Sequence, residues 1–305
     1  MAGVAVVADM AAPGGVAAIE ARNARAMAEV AAFQAAREAG EHGRIDARFH
    51  RFKNRFPYHG FVEVEVAGER FAMLSTNDDL VAMSFFWHGA DAWEPMSTRL
   101  WRGWAAEASC VLDIGAFSGL YSLLAASVSP RVEVLAVEAA RRTYGRLLSN
   151  IQANGLEGRV RAVNRAASDG PGSATFKRFR GENILGIGDS LFEKRGLAIQ
   201  AADERVETVA IDRLLAAEGF VPDIVKIDVE GAELSALRGM AALLGERRPR
   251  LLLEVTPETV DDVVGLLDGH GYRCQAVDEA AARLLPLSAG ARRVGNLLAE
   301  HPAFR

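Results

Sequence analysis

From about residue 109, short apolar runs alternate with stretches of helical composition. The runs are Val111–Ile114, Val132–Val137, Val160–Val163, Ile224–Ile227 and Leu251–Val255. Between them lie Gly119–Ser127, Thr143–Asn154, Ala232–Leu244 and Glu258–His270. Strands covered on both faces read as continuous apolar runs, whereas half-exposed strands alternate. The pattern therefore predicts a doubly wound α/β fold with a mostly parallel sheet and right-handed crossovers. The rhythm breaks over 170–205, where Gly170-Pro171-Gly172 and isolated glycines predict an insertion, part hairpin and part loop.

The first hundred residues follow a different pattern. Residues 1–15, with Pro13-Gly14-Gly15, read as a loose tail, and 16–39, rich in Ala, Glu, Arg and Met, as a helix ending near Gly40. Phe61–Val66 alternates apolar and charged positions, Ala67-Gly68-Glu69 turns, and Arg70–Leu74 returns as the second strand of a hairpin. Residues 1–104 are thus expected to form a small N-terminal helix/hairpin cap, ahead of a main domain over 105–305. All four tryptophans, Trp87, Trp93, Trp101 and Trp104, fall in the segment that joins the two.

Composition adds limits. The 305 residues are 50% hydrophobic and 25% charged, enough for one large core with an N-terminal addition. The net charge is −5 and no basic stripe is present, so no nucleic-acid partner is expected. Arg247, Arg248 and Arg250 flank Pro249 and read as a solvated helix end leading into a strand. Cys110 and Cys274 lack metal-ligand spacing and read as small hydrophobes near strands, in keeping with a reducing compartment. No apolar run is long enough to span a bilayer, and the N-terminus lacks the basic region of a signal peptide. The expectation is a cytoplasmic protein without a membrane partner.

Four motifs carry candidate chemistry. Val111-Leu-Asp113-Ile-Gly115-Ala116-Phe117-Ser-Gly119 joins a strand to a helix, and its glycines permit a tight turn and close approach to a ligand. Glu138 follows the next strand, where a carboxylate can accept hydrogen bonds from both ribose hydroxyls of a nucleoside. Asp113 suits a positively charged group such as the amino group of a bound amino acid. The plainer alternatives are a helix-capping Asp113 and an exposed strand-end Glu138. Lys226, Asp228 and Glu230 share one face of a third strand, with Gly231 and Glu233 beyond; Lys226 there is either functional or a strand-supporting ion pair. Glu254 follows three leucines and needs a partner: a cation, a metal or a role as base.

With these motifs in place, the chain resembles the FkbM family of methyltransferases over roughly residues 85–300. Lys226-Ile-Asp-Val-Glu-Gly231 is the most specific piece. Val206–Leu215, Asp113–Ala116 with Gly119 and Tyr121, Glu138 with Asn150 and Asn154, and Trp87-His-Gly89 with Trp93-Glu-Pro95 also look like the family. The resemblance implies a seven-stranded, Rossmann-like methyltransferase sheet whose reversed last strand lies near Val294–Ala299. It implies S-adenosylmethionine as cofactor, with contacts from Asp113, Gly115, Ala116, Phe117, Gly119, Tyr121, Glu138, Ala139, Ser168 and Asp228. It also implies O-methylation of a small molecule, sugar or natural product. Phe117 stands where the family commonly has Asn, and Ala139-Ala140 follow Glu138 where the family often has Pro.

Methyl transfer to a hydroxyl needs in-line alignment and removal of a proton. Asp228, Glu230 and Glu254 are the catalytic candidates, with His59 and His88 ranked below them. A divalent ion on Asp228 and Glu254 is an alternative, and an oxygen-only ligand set suits magnesium. Two competing functions stay open: a nicotinamide-dependent oxidoreductase, disfavoured by the missing third glycine of the dinucleotide motif, and a non-enzymatic binding module on the same fold. The N-terminal helix and hairpin either pack on their own chain or form a homodimer. The acceptor itself is not legible.

Overall fold

The computed structural model describes residues 15–38, 47–179, 185, 201–287 and 295–304. The expected tail and the loop part of the insertion lie outside the described residues. Helices α1 (Val16–Glu38) and α2 (Ala47–Arg55) precede the hairpin β1 (His59–Val66) and β2 (Glu69–Thr76). Helices α3 (Leu80–His88) and α4 (Pro95–Glu107) lead into β3 (Cys110–Ile114), α5 (Leu120–Val128), β4 (Glu133–Val137), α6 (Arg141–Ala153) and β5 (Val160–Val163). Then come β6 (Ala166–Ser168), β7 (Gly172–Phe179), β8 (Ala201–Ala210), α7 (Ile211–Glu218), β9 (Ile224–Ile227) and α8 (Glu233–Arg238). A π-helical turn (Leu243–Arg247), β10 (Arg250–Val255), α9 (Val260–Gly269), β11 (Arg273–Asp278), β12 (Arg283–Pro286) and β13 (Gly295–Glu300) complete the order.

Among the described residues the central sheet has the order β12-β11-β13-β10-β9-β3-β4-β5. Strands β3, β4, β5, β9 and β10 pair in parallel, and β13 runs antiparallel to both β10 and β11. The reversed strand thus lies at Gly295–Glu300, one residue from where it was expected. The seven expected strands gain an eighth, β12, an edge strand in a hairpin with β11. Its four residues, Arg-Leu-Leu-Pro, give no alternation to read, and proline is tolerated at such an edge. The hairpin half of the insertion is β7 with β8, to which β6 adds a third strand.

Period-two alternation distributes the core over both faces of the sheet. Val111, Val134 and Ala136 join the apolar layer on one face, and Leu112, Ile114, Leu135 and Val137 the layer on the other. Val62, Val64 and Val66 of β1 belong to the first of these layers, so the hairpin buries its apolar face against the main sheet's helices. The outer edge of β2 is sealed by side chains of α6 at helical spacing. Arg146 donates to the Leu74 carbonyl at 2.7 Å, Asn150 accepts from the Leu74 N–H at 2.7 Å, and Asn154 both accepts from and donates to Ala72 at 2.8 Å. An exposed strand edge is thereby removed.

The helix expected over Ala232–Leu244 is interrupted. At Gly239 a Cβ would sit 1.9 Å from the Ser168 carbonyl oxygen, so β6 packs directly on the helix backbone. The chain then passes through the π-helical turn before β10.

Candidate functional site

The sheet order departs in opposite directions from β3, towards β4 on one side and β9 on the other. Crevices outside the carboxyl ends of strands at such a reversal are the ligand sites of open α/β sheets. A cavity of about 320 Å³ occupies this position here. Its floor comes from the ends of β3, β4, β9 and β10, and Val81, Trp93 and Glu94 close it from the N-terminal side.

The loop after β3 is shaped by close backbone contact. Gly115 has φ +79°, and a Cβ there would lie 1.7 Å from the Asp228 carbonyl oxygen. Phe117 also lies in the left-handed region, at φ +52°. Its N–H donates to Glu138 Oε2 at 2.9 Å, while Ala140 N–H donates to Oε1 at 2.8 Å. Glu138 is therefore buried and oriented, not an exposed strand-end charge. Burial pushes its carboxyl up to about 7, against the stabilising effect of the two N–H donors. Asp113 does not cap α5 either. It accepts from Ser122 Oγ at 2.6 Å, and burial pushes it up to about 6.

The far side of the cavity is an acidic cluster around one cation. Lys226 is 1% exposed, and its Nζ lies 3.3 Å from Asp228 Oδ2, 3.3 Å from Asn296 Oδ1 and 5.0 Å from the centre of the Tyr121 ring. Burial works against its charge, but Asp228, Glu94, Glu254 and Asp113 together outweigh burial and hold its pKa above the usual value. Glu254 stands opposite Asn296 in the β10–β13 ladder. The charge of Asp228, then burial, pushes the Glu254 carboxyl well above the usual carboxylate range. Glu94 accepts a hydrogen bond from the Tyr121 hydroxyl, and burial raises its pKa.

Of the expected site residues, Asp113, Gly115, Ala116, Phe117, Tyr121, Glu138, Ala139, Asp228, Glu230 and Glu254 line the cavity. Gly119 and Ser168 do not. Gly119, at φ +104°, serves packing: a Cβ would lie 2.7 Å from Leu147 Cδ1. Ser168 Oγ turns to Asp169 at 3.1 Å and Ser235 at 3.4 Å, and Ala166 and Ala167 form the wall in its place. His88 is buried, with ring centres 5.1 Å from those of Phe33 and Phe49, and His59 begins β1; neither lines the cavity. Trp93 and Glu94, quoted from the sequence only as part of a family-like segment, also line the cavity, and Asn296, not singled out in the sequence, reaches Lys226 from β13. Among the described residues no group of three or more His, Cys, Asp or Glu is placed to hold a metal ion. The Lys226 ammonium already supplies the cation beside Asp228, so the pair Asp228 and Glu254 does not fit magnesium.

Residues 113–274, just over half of the chain, match the family model described as the methyltransferase FkbM domain. Among solved structures the chain is similar to the methyltransferase FkbM from Methylobacillus flagellatus KT, with 16% identity and a TM-score of 0.43 over 63% of this chain and 44% of that one. The chain thus spans less than half of that protein's length. It is also similar to an O-methyltransferase from Bacillus cereus in complex with SAH, with 14% identity and a TM-score of 0.40 over 68% of this chain and 81% of that one. A third is fibrillarin of Aeropyrum pernix with bound S-adenosyl-L-methionine, with 12% identity and a TM-score of 0.40 over 67% of this chain and 73% of that one. No curated protein matches the chain.

Proposed function

The chain belongs to the family of methyltransferase FkbM domains, and on that premise we propose that it is an S-adenosylmethionine-dependent O-methyltransferase acting on a hydroxyl of a small molecule, sugar or natural product. One observation carries the reading: Glu138, held by two backbone N–H groups at one end of the cavity, faces an acidic cluster at the other.

The residues present fit the cofactor. Glu138 offers the carboxylate that a ribose diol needs, and Gly115 lets the loop after β3 lie directly against the Asp228 carbonyl. Among the described residues six carboxyl groups, from Glu94, Asp113, Glu138, Asp228, Glu230 and Glu254, line the cavity, with Arg165 and Lys226 as the cations. A lining in which carboxyl groups outnumber cations suits a sulfonium and an ammonium better than the pyrophosphate of a nicotinamide dinucleotide. This argues against the oxidoreductase alternative. A scaffold without a ligand has no use for so many desolvated carboxyl groups, so the lining speaks for a chain that binds one.

When bound, S-adenosylmethionine supplies an activated methyl group. The chain's own work is to align the acceptor and move one proton. Asp228 lies just beyond β9 in the cavity wall with Lys226 against it, and it is the residue we assign to take the hydroxyl proton. Glu230 lines the same side and orients the acceptor. No step passes through a metal. Val81 and Trp93 come from residues 1–104, which we assign to a cap over the cavity that receives the acceptor.

Calorimetric titration with S-adenosylhomocysteine tests the reading, beside the Glu138→Ala variant and an NAD control. Binding by the wild-type protein that the variant loses supports it. Binding of NAD alone by the folded wild-type protein overturns it.

A further inference from the structure

Glu94 occupies a position that neither helix capping nor backbone preference explains. It is the residue before α4, the N-cap place, where a side chain ordinarily accepts hydrogen bonds from the first turn. Its side chain makes no such bond. The N–H of Met96 donates instead to Glu279 at 2.8 Å, and Ser97 donates to the same carboxylate through both its N–H, at 3.3 Å, and its hydroxyl. Glu279 reaches there from the turn between β11 and β12. A second carboxylate has thus taken over the cap, and Glu94 is free to point elsewhere.

Its backbone is also unfavourable. Glu94 has φ 42° and ψ 57°, the left-handed region, and it precedes Pro95. Residues before proline avoid helical conformations, and non-glycine residues held in the left-handed region concentrate where a site needs a side chain aimed. The conformation carries the carboxylate into the cavity beside Lys226 and Asp228, where Tyr121 donates to one of its oxygens. Among the described residues Tyr121 is its hydrogen-bond donor.

The ligand follows from the layout. Glu138 at the end of β4 fixes the ribose end, and Asp228 follows β9, two strands further along the sheet. A ligand lying across that interval brings its amino-acid end to Glu94. We propose that Glu94 is a cofactor-binding residue whose carboxylate takes the α-ammonium of the methionyl end of S-adenosylmethionine, oriented by the Tyr121 hydroxyl. This inference rests on the cofactor reading above.

Two ligands separate the two ideas. S-adenosylhomocysteine carries the ammonium; 5′-methylthioadenosine has the same nucleoside without the amino-acid end. Both are titrated calorimetrically into wild type and Glu94→Gln, which keeps the side-chain size and an acceptor for Tyr121. Loss of a charge-assisted contact predicts that the variant binds S-adenosylhomocysteine about tenfold or more weakly. Its affinity for 5′-methylthioadenosine should be unchanged. Equal weakening of both ligands marks Glu94 as structural and overturns the proposal, as does unchanged S-adenosylhomocysteine affinity. If wild type binds neither ligand, the cofactor reading itself fails and takes this assignment with it.

Discussion

Glu138 and Phe117 form a single unit: the carboxylate that ends β4 accepts the N–H of Phe117 at 2.9 Å, and Phe117 holds φ +52°. The loop after β3 is therefore set by the residue proposed to bind ribose. The family's common Asn at this place tolerates the left-handed region far better than Phe does. The departure at Phe117 is thus tolerated by the backbone at a cost, and the N–H that orients Glu138 does not depend on the side chain.

This coupling makes the site sensitive to pH. Glu138 titrates near 7 in the fold against an ordinary 4.5. A carboxyl raised on folding binds its proton more tightly in the native state, so its contribution to stability is greatest at low pH and is lost as pH rises from about 4.5 to about 7. The ligand-free protein should show a falling melting temperature over that window, and Glu138→Gln should make the fall shallower, with Asp113 and Glu254, raised in the same sense, supplying the rest. Two ribose hydroxyls donate best to the ionised form, so S-adenosylhomocysteine affinity should weaken as pH drops below about 7. Melting curves and titrations across pH check both, and a pH-independent affinity in wild type would count against Glu138 as the ribose contact.

Gly115 is the position where geometry allows least. Alanine there would put a Cβ 1.7 Å from the Asp228 carbonyl oxygen in a backbone at φ +79°. Gly219 makes a control, with φ +60° and nothing within 4 Å of a Cβ. Gly219→Ala should cost about 1–2 kcal/mol from the left-handed conformation alone. Gly115→Ala should exceed that and abolish S-adenosylhomocysteine binding, because β9 and the loop must separate. Urea midpoints for the two variants give the comparison.

The parallel strands and most of the cavity-lining candidates were legible because a doubly wound sheet writes itself as apolar runs, with the residues at the run ends facing the crevice. Asp113, Glu138, Asp228 and Glu254 each sit in such a place. Glu94 does not. It follows no strand, and its role depends on Glu279, far away in sequence, taking over the helix cap. Ser168 shows the converse error. It lies next to cavity-lining residues but faces the other way, because the backbone of β6 packs on Gly239. Strand β12 was invisible because four residues at an edge bury too little to impose a period.

The Asp228 charge should govern the titration of Glu254. The largest cause of Glu254's rise to about 9 is the Asp228 charge, with burial second. Asp228→Asn removes the first and leaves the second, so Glu254 should titrate well below 9 in that variant while remaining above its ordinary 4.5. Side-chain carbon NMR of labelled glutamate follows this directly, without an acceptor. An unchanged Glu254 titration would dissolve the pair and with it the assignment of Asp228 as the proton acceptor. In turnover, once an acceptor is in hand, Asp228→Asn should lower kcat by about a hundredfold or more, in the usual range for loss of a general base. Glu254→Gln, which removes no proton acceptor assigned to the reaction, should be milder.

Asn150 tests whether the hairpin supports the cofactor loop. It is fully buried, accepts from the Leu74 N–H at 2.7 Å and donates to the Ser118 carbonyl at 2.7 Å, so one amide joins β2 to the loop after β3. Asn150→Ala leaves both backbone groups without that partner and should destabilise by about 1–3 kcal/mol for each group left unsatisfied. Asn154 contacts Ala72 on the same strand and also donates to the Asn150 carbonyl, but it does not touch Ser118. The two variants should therefore differ in kind. Asn154→Ala should lower stability while leaving S-adenosylhomocysteine affinity near wild type. Asn150→Ala should lower both, because Ser118 directly follows Phe117, whose N–H orients Glu138. Chemical denaturation paired with calorimetry on both variants separates the effects, and equal affinities would mean that the hairpin braces the sheet without reaching the site.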